Sequence, residues 1–404
     1  MEINGGRAEY FYHHHFKDDV EFKWLLRELG IENKLKFYPT KMGFYRSGKL
    51  FQFNGIADLL KFSPMSFFDK IRFGLVSIYL SVFCDWKKCE SMPALAWLRQ
   101  HSGRTACASV WEPMLKIKFG DYFERVPLSW LVGRLRQRLH SRSAGQETLG
   151  YVTGSLSELL AAIEAKLGAM DVEIKTNAPV EEIIYENKRV KGVRAKGDFF
   201  YADEVLFTTP TTILAPLVKE HDAAYGEALS KLEYFGALCV VVETSRALSD
   251  IYWTNVADAD FPFGGVIEHT NIVPAQAFKG SHVTYLSRYF ELSNKIAKQS
   301  DAEIAKEFLA ALQKMFPTLR NDEIKSVKCF RSSTAAPVCD LDFSKKLPRY
   351  DTPLTGLYVA SMPQLYPDER SCNNCVRLAA GALARMGYDT QAVPQGPTLA
   401  GIYA

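Results

Sequence analysis

The sequence predicts an α/β protein made of two intertwined domains. Its 404 residues, 47% of them hydrophobic, suffice to bury a large core. Short apolar runs typical of buried strands alternate with amphipathic helical segments after residue 148, which favours a sheet covered on both faces. A mostly helical stretch interrupts the strands before that point. These three observations together predict two intertwined α/β domains with a helical insert in the first part of the chain.

The first part of the chain predicts a weak strand, a helix, a hairpin and then the helical insert. Residues 2–11 alternate weakly, and 18–29 carry apolar residues at helical spacing. The strand-like pieces 43–46 and 49–53 are separated by Ser-Gly, which predicts a hairpin turn. Residues 54–142 are mostly helical, with breaks at Pro and Gly.

The second part of the chain predicts strands alternating with a few helices, followed by a Pro/Gly-rich tail, 393–404, that we expect to be flexible. Apolar or alternating runs predict the strands, and apolar residues three and four apart predict the helices. The predicted strands are 172–176, 180–185, 189–195, 203–210, 234–244, 282–289, 325–331 and 357–361; the predicted helices are 156–167, 301–315 and 370–386.

Composition excludes several classes of protein. The net charge of +3 is spread along the chain, so we expect no nucleic-acid partner. Eight scattered cysteines do not form a disulfide framework, and the first residues lack an apolar signal region, which together predict a cytoplasmic protein.

The longest apolar run, 73–84, is too short to span a bilayer. Three interpretations of 62–84 stay open: a packed helix of a substrate domain, peripheral membrane contact, and the wall of a tunnel for a lipophilic substrate.

Two motifs invite a metal or redox interpretation. His13, His14 and His15 are adjacent, so their side chains diverge, and we predict no metal site. Cys372 and Cys375 have the spacing of a redox dithiol at a helix start, but a zinc site would need a second pair. Ordinary small helix residues are the alternative interpretation.

Seven short motifs carry a resemblance to a known superfamily. They are 11–16 (Phe-Tyr-His-His-His-Phe), 43–50, 111–120 (Trp-Glu-Pro-Met-Leu-Lys-Ile-Lys-Phe-Gly), 150–154 (Gly-Tyr-Val-Thr-Gly), Val180 with 192–194, 208–210 (Thr-Thr-Pro), and the C-terminal block 356–377. With them the chain resembles the flavin amine oxidase, phytoene desaturase and protoporphyrinogen oxidase-like superfamily. The resemblance covers nearly the whole sequence.

The resemblance implies FAD as cofactor and a discontinuous Rossmann-like FAD/NAD(P)-binding domain with an inserted α+β substrate domain. The FAD-binding domain would comprise 1–12, 145–212 and 350–392, and the substrate domain 13–144 and 213–349. The residues it implies for FAD are Val180, Thr209, Pro210, Ser361, Met362, Glu369, Arg370 and Asn373. The substrate-cavity candidates are His14, Glu112, Lys118 and Arg331.

Physical reasoning supports the C-terminal part of this assignment. A buried strand that ends in a polar turn and leads into a helix points backbone N–H groups and a positive dipole end at what lies in front. Reduced flavin is negatively charged at N1 and its neighbouring carbonyl. The alternative is that Asp368 or Ser371 is an ordinary helix cap.

One departure from the pattern concerns the dinucleotide site. The sequence has no strand, Gly-x-Gly-x-x-Gly turn and helix for the pyrophosphate, so we expect the first βαβ unit to be missing and FAD binding to be in doubt. Gly5-Gly6 is expected to form a hairpin turn instead.

The predicted function is oxidation of a C–H or C–N bond of a small, plausibly lipophilic molecule by hydride transfer to flavin N5. A flavin-dependent sugar-nucleotide mutase, with Arg331 or Arg349 at the diphosphate, is one alternative. A truncated homologue that binds no FAD is the other.

Overall fold

The computed structural model describes residues 1–140, 142–143 and 146–398. Its helices are α1 Val20–Glu28, α2 Ile56–Lys61, α3 Phe67–Ile78, α4 Ala94–His101, α5 Arg104–Ala106, α6 Glu112–Phe119, α7 Leu128–His140, α8 Leu156–Ala169, α9 Thr211–Val218, α10 Ala223–Ser230, α11 Asp301–Met315 and α12 Cys372–Arg385.

The strands are β1 Glu2–Ile3, β2 Gly6–Arg7, β3 Leu35–Pro39, β4 Met42–Arg46, β5 Lys49–Gln52, β6 Arg142–Ser143, β7 Gln146–Val152, β8 Val180–Glu186, β9 Arg189–Ala195, β10 Asp198–Tyr201, β11 Val205–Phe207, β12 Tyr234–Thr244, β13 Trp253–Val256, β14 Gly265–Glu268, β15 His282–Phe290, β16 Ile324–Pro337 and β17 Leu357–Val359.

The largest sheet has the strand order β16-β12-β15-β14-β13-β4-β5. Its central strand β12 is buried along its whole length. Because side chains alternate across a strand, Val240 and Val242 pack towards α11, whereas Cys239 and Val241 belong to a second cluster on the other face. Both faces of the strand are therefore covered, which explains its continuous apolar run.

Helix α11 confirms the predicted segment 301–315. Ser300 and Glu303 form a capping box that fixes its start, with each side chain bonded to the other residue's backbone N–H. Ile304, Phe308 and Leu312, which are spaced four apart, are fully buried against the large sheet.

Two of the smaller sheets, β11–β17 and β8–β9–β10, lie in the segments expected to hold the cofactor. β11 and β17 pair in parallel, which brings 205–207 beside 357–359. β8, β9 and β10 form an antiparallel meander, and β3, β7 and β6 form another three-stranded sheet. The protein is thus a mixed α/β fold, as predicted. The expected domain boundary between 144 and 145 lies outside the described residues.

Three local predictions need correction. Residues 172–176 are not a strand: they follow α8 as irregular chain, and Val172 and Ile174 are exposed because no neighbouring strand pairs with them. The predicted 2–11 strand is the short hairpin β1–β2. Its turn is at Asn4-Gly5, both at positive φ, one residue before the expected Gly5-Gly6.

The insert 54–142 is helical as predicted, from α2 to α7. Within the described part of the chain, none of the helices is both long and apolar enough to cross a membrane.

Candidate functional site

The ends of β11 and β17 bring four predicted residues together. Thr209 and Pro210 follow β11, and Ser361 and Met362 follow β17; parallel strands end at the same sheet edge. Ser361 Oγ donates to the Thr209 carbonyl at 2.8 Å, so the two strand ends are directly joined. This edge carries the turn that leads into α12.

The turn after β17 is fixed by side-chain hydrogen bonds to its backbone. Gln364 Oε1 accepts from Ser361 N at 2.6 Å, and Ser371 Oγ accepts from Asn374 N at 3.2 Å, capping α12. Asn374 Nδ2 donates to the Glu369 carbonyl at 2.8 Å. Glu369 and Arg370 are thus held immediately before the helix start, between two clefts.

The first cleft, here called the aromatic cleft, has a volume of about 440 Å³, including space open to solvent. Aromatic and apolar side chains form most of its wall, with three cations among them. Its lining residues are Lys118, Phe119, Trp130, Arg134, Phe235, Tyr289, Ala336, Pro337, Cys339, Met362, Pro363, Tyr366, Asp368 and Arg370.

The cations of this cleft lie against its aromatic rings. Lys118 Nζ lies 5.4 Å from the centroid of the Trp130 ring and 5.7 Å from that of Tyr289. The guanidinium carbon of Arg134 lies 5.0 Å from the Trp130 centroid, and Arg370 Nη2 donates to Tyr289 Oη at 3.2 Å. Ring faces attract cations, which lets these side chains stay charged in a water-poor place.

Glu369 is the carboxylate that faces these cations. Arg134 Nη1 lies 2.8 Å from Glu369 Oε2, although the two groups are not aligned as donor and acceptor. Arg134 Nε is buried and has no hydrogen-bond partner among the described residues. Three cations therefore surround the Glu369 carboxylate. Some N–H groups of the Arg134 guanidinium have no hydrogen-bond partner among the described residues.

The local charges determine the ionisation of this group of side chains. Burial alone would raise the pKa of Glu369, but Arg134, Lys118 and Arg370 lower it to about 2. Burial likewise opposes the ionisation of Tyr289, yet Arg370 and Lys118 bring its pKa below the ordinary value. Burial lowers the pKa of Lys118, against the attraction of Glu369 and Tyr289. These side chains lie deep in the molecule but are only half-buried, because the part of each side chain that faces a cleft remains accessible to solvent.

The second cleft, here called the acidic cleft, has a volume of about 750 Å³, including space open to solvent. Four carboxylates line it, and Asp368 lines both clefts. Its lining residues are Phe16, Asp18, Asp19, Gly133, Arg136, Gln137, Asp368, Glu369, Asn373, Asn374, Pro397 and Thr398. Because Arg134 faces one cleft and Glu369 the other, their ion pair stands between the two.

The acidic cleft is closed on one side by packing of α12 against α1. Asn373 Oδ1 accepts from Phe22 N at 3.0 Å, and its amide donates to Asn374 at 3.3 Å. The buried Glu21 carboxylate pairs with Arg377 at 2.6 Å. Asn373 was predicted to contact the cofactor; it lines the cleft, but its polar atoms are used in holding the two helices together.

The beginning of the C-terminal tail also lies here. Gly396 N donates to Glu21 Oε1 at 2.9 Å, and Arg377 Nη2 donates to the Pro397 carbonyl at 3.3 Å. We expected the tail 393–404 to be flexible. Instead, residues 396 and 397 are held by hydrogen bonds, because the side chains of the Glu21–Arg377 ion pair bond to their backbone. Residues 399–404 lie outside the described residues.

Of the predicted substrate-cavity residues, Lys118 lines the aromatic cleft and His14 lies near it. His14 Nδ1 lies 3.3 Å from Tyr252 Oη, and its ring contacts Trp253 edge-on. Burial and then Arg138 lower the pKa of His14 to about 4, despite the attraction of Glu369. The imidazole is therefore neutral near pH 7.

The structure places the other two cavity candidates outside both clefts. Glu112 pairs with Lys116 at 2.7 Å and Arg99 at 3.1 Å on the outer side of α6. Arg331 forms an ion pair with Asp301 at the start of α11. Neither residue lines either cleft. Val180 begins β8, is exposed, and likewise lines neither of them.

Sequence reasoning missed Arg134, Trp130 and Tyr289. The available signal was the position of Arg134 on the buried side of its helix: it lies three residues after the buried Leu131 and four after Trp130. Tyr289 gives no such signal, because a tyrosine near the end of an apolar strand is common.

The cysteine pair and the histidine run, which the sequence singled out, lie in surroundings that can now be described. Burial raises the pKa of Cys372 to about 12 and that of Cys375 above its ordinary value, which opposes a reactive thiolate. Among the described residues, no group of three or more His, Cys, Asp or Glu side chains is placed to hold a metal ion.

Comparison with known proteins gives the family. The sequence model for flavin-containing amine oxidoreductases matches residues 5–361. This chain belongs to that family. No curated protein matches it in sequence.

Solved structures of similar fold agree with the family assignment. An oxidoreductase from Methanosarcina mazei is 18% identical with a TM-score of 0.72, and the match covers 96% of this chain and 90% of that one. A putative protoporphyrinogen oxidase from Exiguobacterium sp. 255-15 is 16% identical with a TM-score of 0.72, covering 95% and 88%. A reduced UDP-galactopyranose mutase is 12% identical with a TM-score of 0.71, covering 96% and 85%. At these identities the similarity establishes the fold alone.

Proposed function

We propose that this amine oxidoreductase family member is an FAD-dependent enzyme that oxidises a C–H or C–N bond of a small molecule bound in the aromatic cleft. The observation that carries the proposal is the set of three half-buried cations around Glu369, beside the strand–turn–helix unit of β17 and α12. The family assignment supplies the cofactor class.

The residues present fit the ring end of a flavin. Arg134 has buried donor groups without a hydrogen-bond partner among the described residues, and the N-terminus of α12 adds a positive dipole end nearby. Ser361, Met362 and Arg370 would lie along the cofactor at the strand end. When bound, a flavin accepts a hydride from the substrate at N5. The sequence contains no Gly-x-Gly-x-x-Gly turn for the pyrophosphate, so this fit concerns the ring end.

The protein's own residues prepare the cleft in two ways. The cations Lys118, Arg134 and Arg370 stabilise negative charge that develops in the cleft, and they do so strongly because little water competes. Trp130 and Tyr289 exclude that water and position an apolar substrate.

The test is flavin retention and reduction. The purified chain is mixed with FAD, desalted and examined for visible flavin absorbance, and amines or unsaturated lipophilic compounds are then added without oxygen. We expect near-stoichiometric flavin in the wild type and about tenfold weaker retention in Arg370→Met. Arg331→Met, which removes a cation outside the clefts, should behave as the wild type. A wild type that retains no flavin would instead support the non-catalytic homologue.

A second candidate, a flavin-dependent sugar-nucleotide mutase, is favoured by one specific observation. Arg134, Arg370 and Tyr289 line a single cleft, and guanidinium and phenol groups suit a diphosphate. Arg331 and Arg349, which the sequence suggested for this role, do not line it. Calorimetric binding of UDP that Arg134→Met abolishes, together with turnover of a UDP-hexose, would favour the mutase. Flavin reduction by the substrate itself, without UDP binding, would favour the oxidase.

A further inference from the structure

Helix α3 and the turn that follows it expose an unusual amount of apolar surface. Phe68 is 76% exposed, Leu75 62% and Phe83 72%, and further exposed apolar residues lie between them: Phe67, Ile71, Ile78, Tyr79 and Val82. At 100° per residue, the exposed positions of α3 span an arc of about 140°. Arg72 is the one charged residue on that arc.

This exposed arc is a second apolar face, not the helix's packing face. The opposite side of α3 is already used: Val76 is buried, and Phe73 packs with it against the core cluster that includes Trp111 and Trp130. An amphipathic helix needs one apolar face to pack on a globular core. The outer face therefore has no packing role among the described residues.

Helix α2 extends the same surface. Lys70 Nζ donates to the Leu60 carbonyl at 2.6 Å, which places the end of α2 beside the first turn of α3. Ile56 is 80% exposed and Leu60 52%. The two helices together present an apolar surface of a size that proteins rarely leave in water without a partner. We call the exposed apolar residues of 56–83 the α2–α3 face.

The charges around the α2–α3 face indicate the partner. Exposed cations border the face: Lys61 ends α2, and Lys87 and Lys88 follow Phe83. Arg72, in the middle of α3, is exposed too, and its guanidinium donates to the Gln100 and His101 carbonyls at 3.2 and 3.3 Å. Asp69 is turned inwards and accepts from Thr105 N and Oγ1, both at 2.7 Å. Asp58 is half-buried and accepts from Asn54. Asp85 is the exposed carboxylate of this stretch; it lies 3.9 Å from Lys88 Nζ, and since both side chains are exposed this pair is weak. An apolar surface with a basic border matches a bilayer that contains anionic lipids.

We propose that the α2–α3 face docks onto the interfacial layer of an anionic lipid membrane, with α3 lying parallel to the bilayer plane. The aromatic rings and aliphatic side chains enter the boundary between headgroups and acyl chains, and the border cations contact lipid phosphates. This is the peripheral contact that the sequence left open for 62–84. It holds independently of the reaction carried out in the clefts.

Vesicle co-sedimentation tests the proposal. The wild type is mixed with phosphatidylcholine vesicles that contain roughly one third phosphatidylglycerol, and separately with pure phosphatidylcholine vesicles. The test variant carries Phe68→Ser, Leu75→Ser and Phe83→Ser. The matched control carries Leu160→Ser, Phe199→Ser and Tyr201→Ser, equally exposed apolar residues on α8 and β10. Circular dichroism checks that both variants are folded.

We expect the wild type and the control to bind the anionic vesicles at least about tenfold more tightly than the test variant. Lys87→Gln with Lys88→Gln should weaken binding to anionic vesicles by at least about fivefold and leave binding to neutral vesicles unchanged. The charge variant alters no apolar residue, so it remains informative if the triple variant misfolds.

Three results would overturn the proposal. One is a wild type that stays in the supernatant with both kinds of vesicle. Another is a control variant that loses binding as fully as the test variant, since any exposed apolar residue would then suffice. The third is a stable dimer, seen by light scattering without vesicles, that the test variant abolishes; the α2–α3 face would then bind a second copy of the chain.

Discussion

The two sides of the acidic cleft affect its carboxyl groups in opposite ways, as Glu369 and Asp19 show. Glu369, which faces the cations of the aromatic cleft, has its pKa lowered to about 2 even though burial favours the protonated form. Asp19, in the acidic cleft, has its pKa raised to about 7 by burial, and the hydrogen bond from Phe16 N only partly opposes this. The two clefts adjoin, with the Arg134–Glu369 pair between them.

This difference shows that the charges of nearby residues, more than the degree of burial, decide whether such a carboxyl group is ionised. Three cations near Glu369 outweigh its desolvation, whereas the acidic residues near Asp19, Glu21 and Asp18, add to it. The three cations that line the aromatic cleft can therefore stabilise an anionic ligand there. Substitutions on either side of the ion pair should separate the two behaviours.

The largest effect is expected when the carboxylate between the clefts is neutralised. Glu369→Gln leaves Arg134, Lys118 and Arg370 close together without their counter-charge, which should cost about 3 kcal/mol of unfolding free energy. Because the pKa of Glu369 is lowered in the folded state, this contribution is present above the ordinary glutamate pKa and disappears as the pH falls towards about 2. Urea denaturation measures the cost.

Glu112→Gln is the matched control for this substitution. Glu112 also pairs with two cations, but both are about half exposed, so its loss should change stability by less than about 1 kcal/mol. If the two variants lost the same unfolding free energy, the three surrounding cations would give Glu369 no larger role in stability than Glu112 has.

The second effect is on pH dependence in the acidic cleft. Since the folded pKa of Asp19 is raised, its stabilising contribution is complete below the ordinary aspartate pKa and is lost as the pH rises through about 7. From about pH 5 to about pH 8 the wild type should lose on the order of 2 kcal/mol relative to Asp19→Asn. Parallel stability curves for the two proteins would contradict this.

The third effect concerns Tyr289 in the aromatic cleft. Arg370→Met removes the largest influence that lowers the pKa of Tyr289 and leaves its burial in place, so that pKa should rise. Ultraviolet titration of phenolate, with Tyr289→Phe to identify the signal, measures it. An unchanged titration would mean that Lys118 alone sets the value.

The smallest effect is expected for Lys118→Met. The substitution loses contacts to the rings of Trp130 and Tyr289 but also removes the cost of burying a cation, so unfolding free energy should change by less than about 1 kcal/mol. A loss as large as that of Glu369→Gln would mean that all charges between the clefts act as one unit. The same urea denaturation series provides this comparison.

Much of the fold could be predicted because local signals were strong. The capping box and apolar period of α11, the valine-rich run of β12 and the turn between β4 and β5 each act over a few residues. The strand–turn–helix of β17 and α12 was equally clear. The segment 172–176 was mispredicted because alternation indicates a strand only when a neighbouring strand is there to pair with it.

The site was less predictable because it depends on which face each side chain occupies. Arg331 follows Phe330 on β16, and side chains alternate across a strand, so Phe330 stacks on Tyr10 while Arg331 reaches α11 on the opposite face. Glu112 is four residues before Lys116, and that local pair keeps it on the outside of α6.

The sequence by itself determined the order of the elements, the family and the turn that leads into α12, because these follow from spacing and from residue types close together in the chain. Tertiary structure decided which charges meet: Lys118, Arg134, Tyr289 and Arg370 come from four separate segments, and their pKa values depend on distances that no local pattern contains. It also decided which apolar surfaces are covered. Helices α3 and α11 have similar apolar periodicity, yet α3 leaves a second apolar face exposed, since burial depends on what packs against a helix.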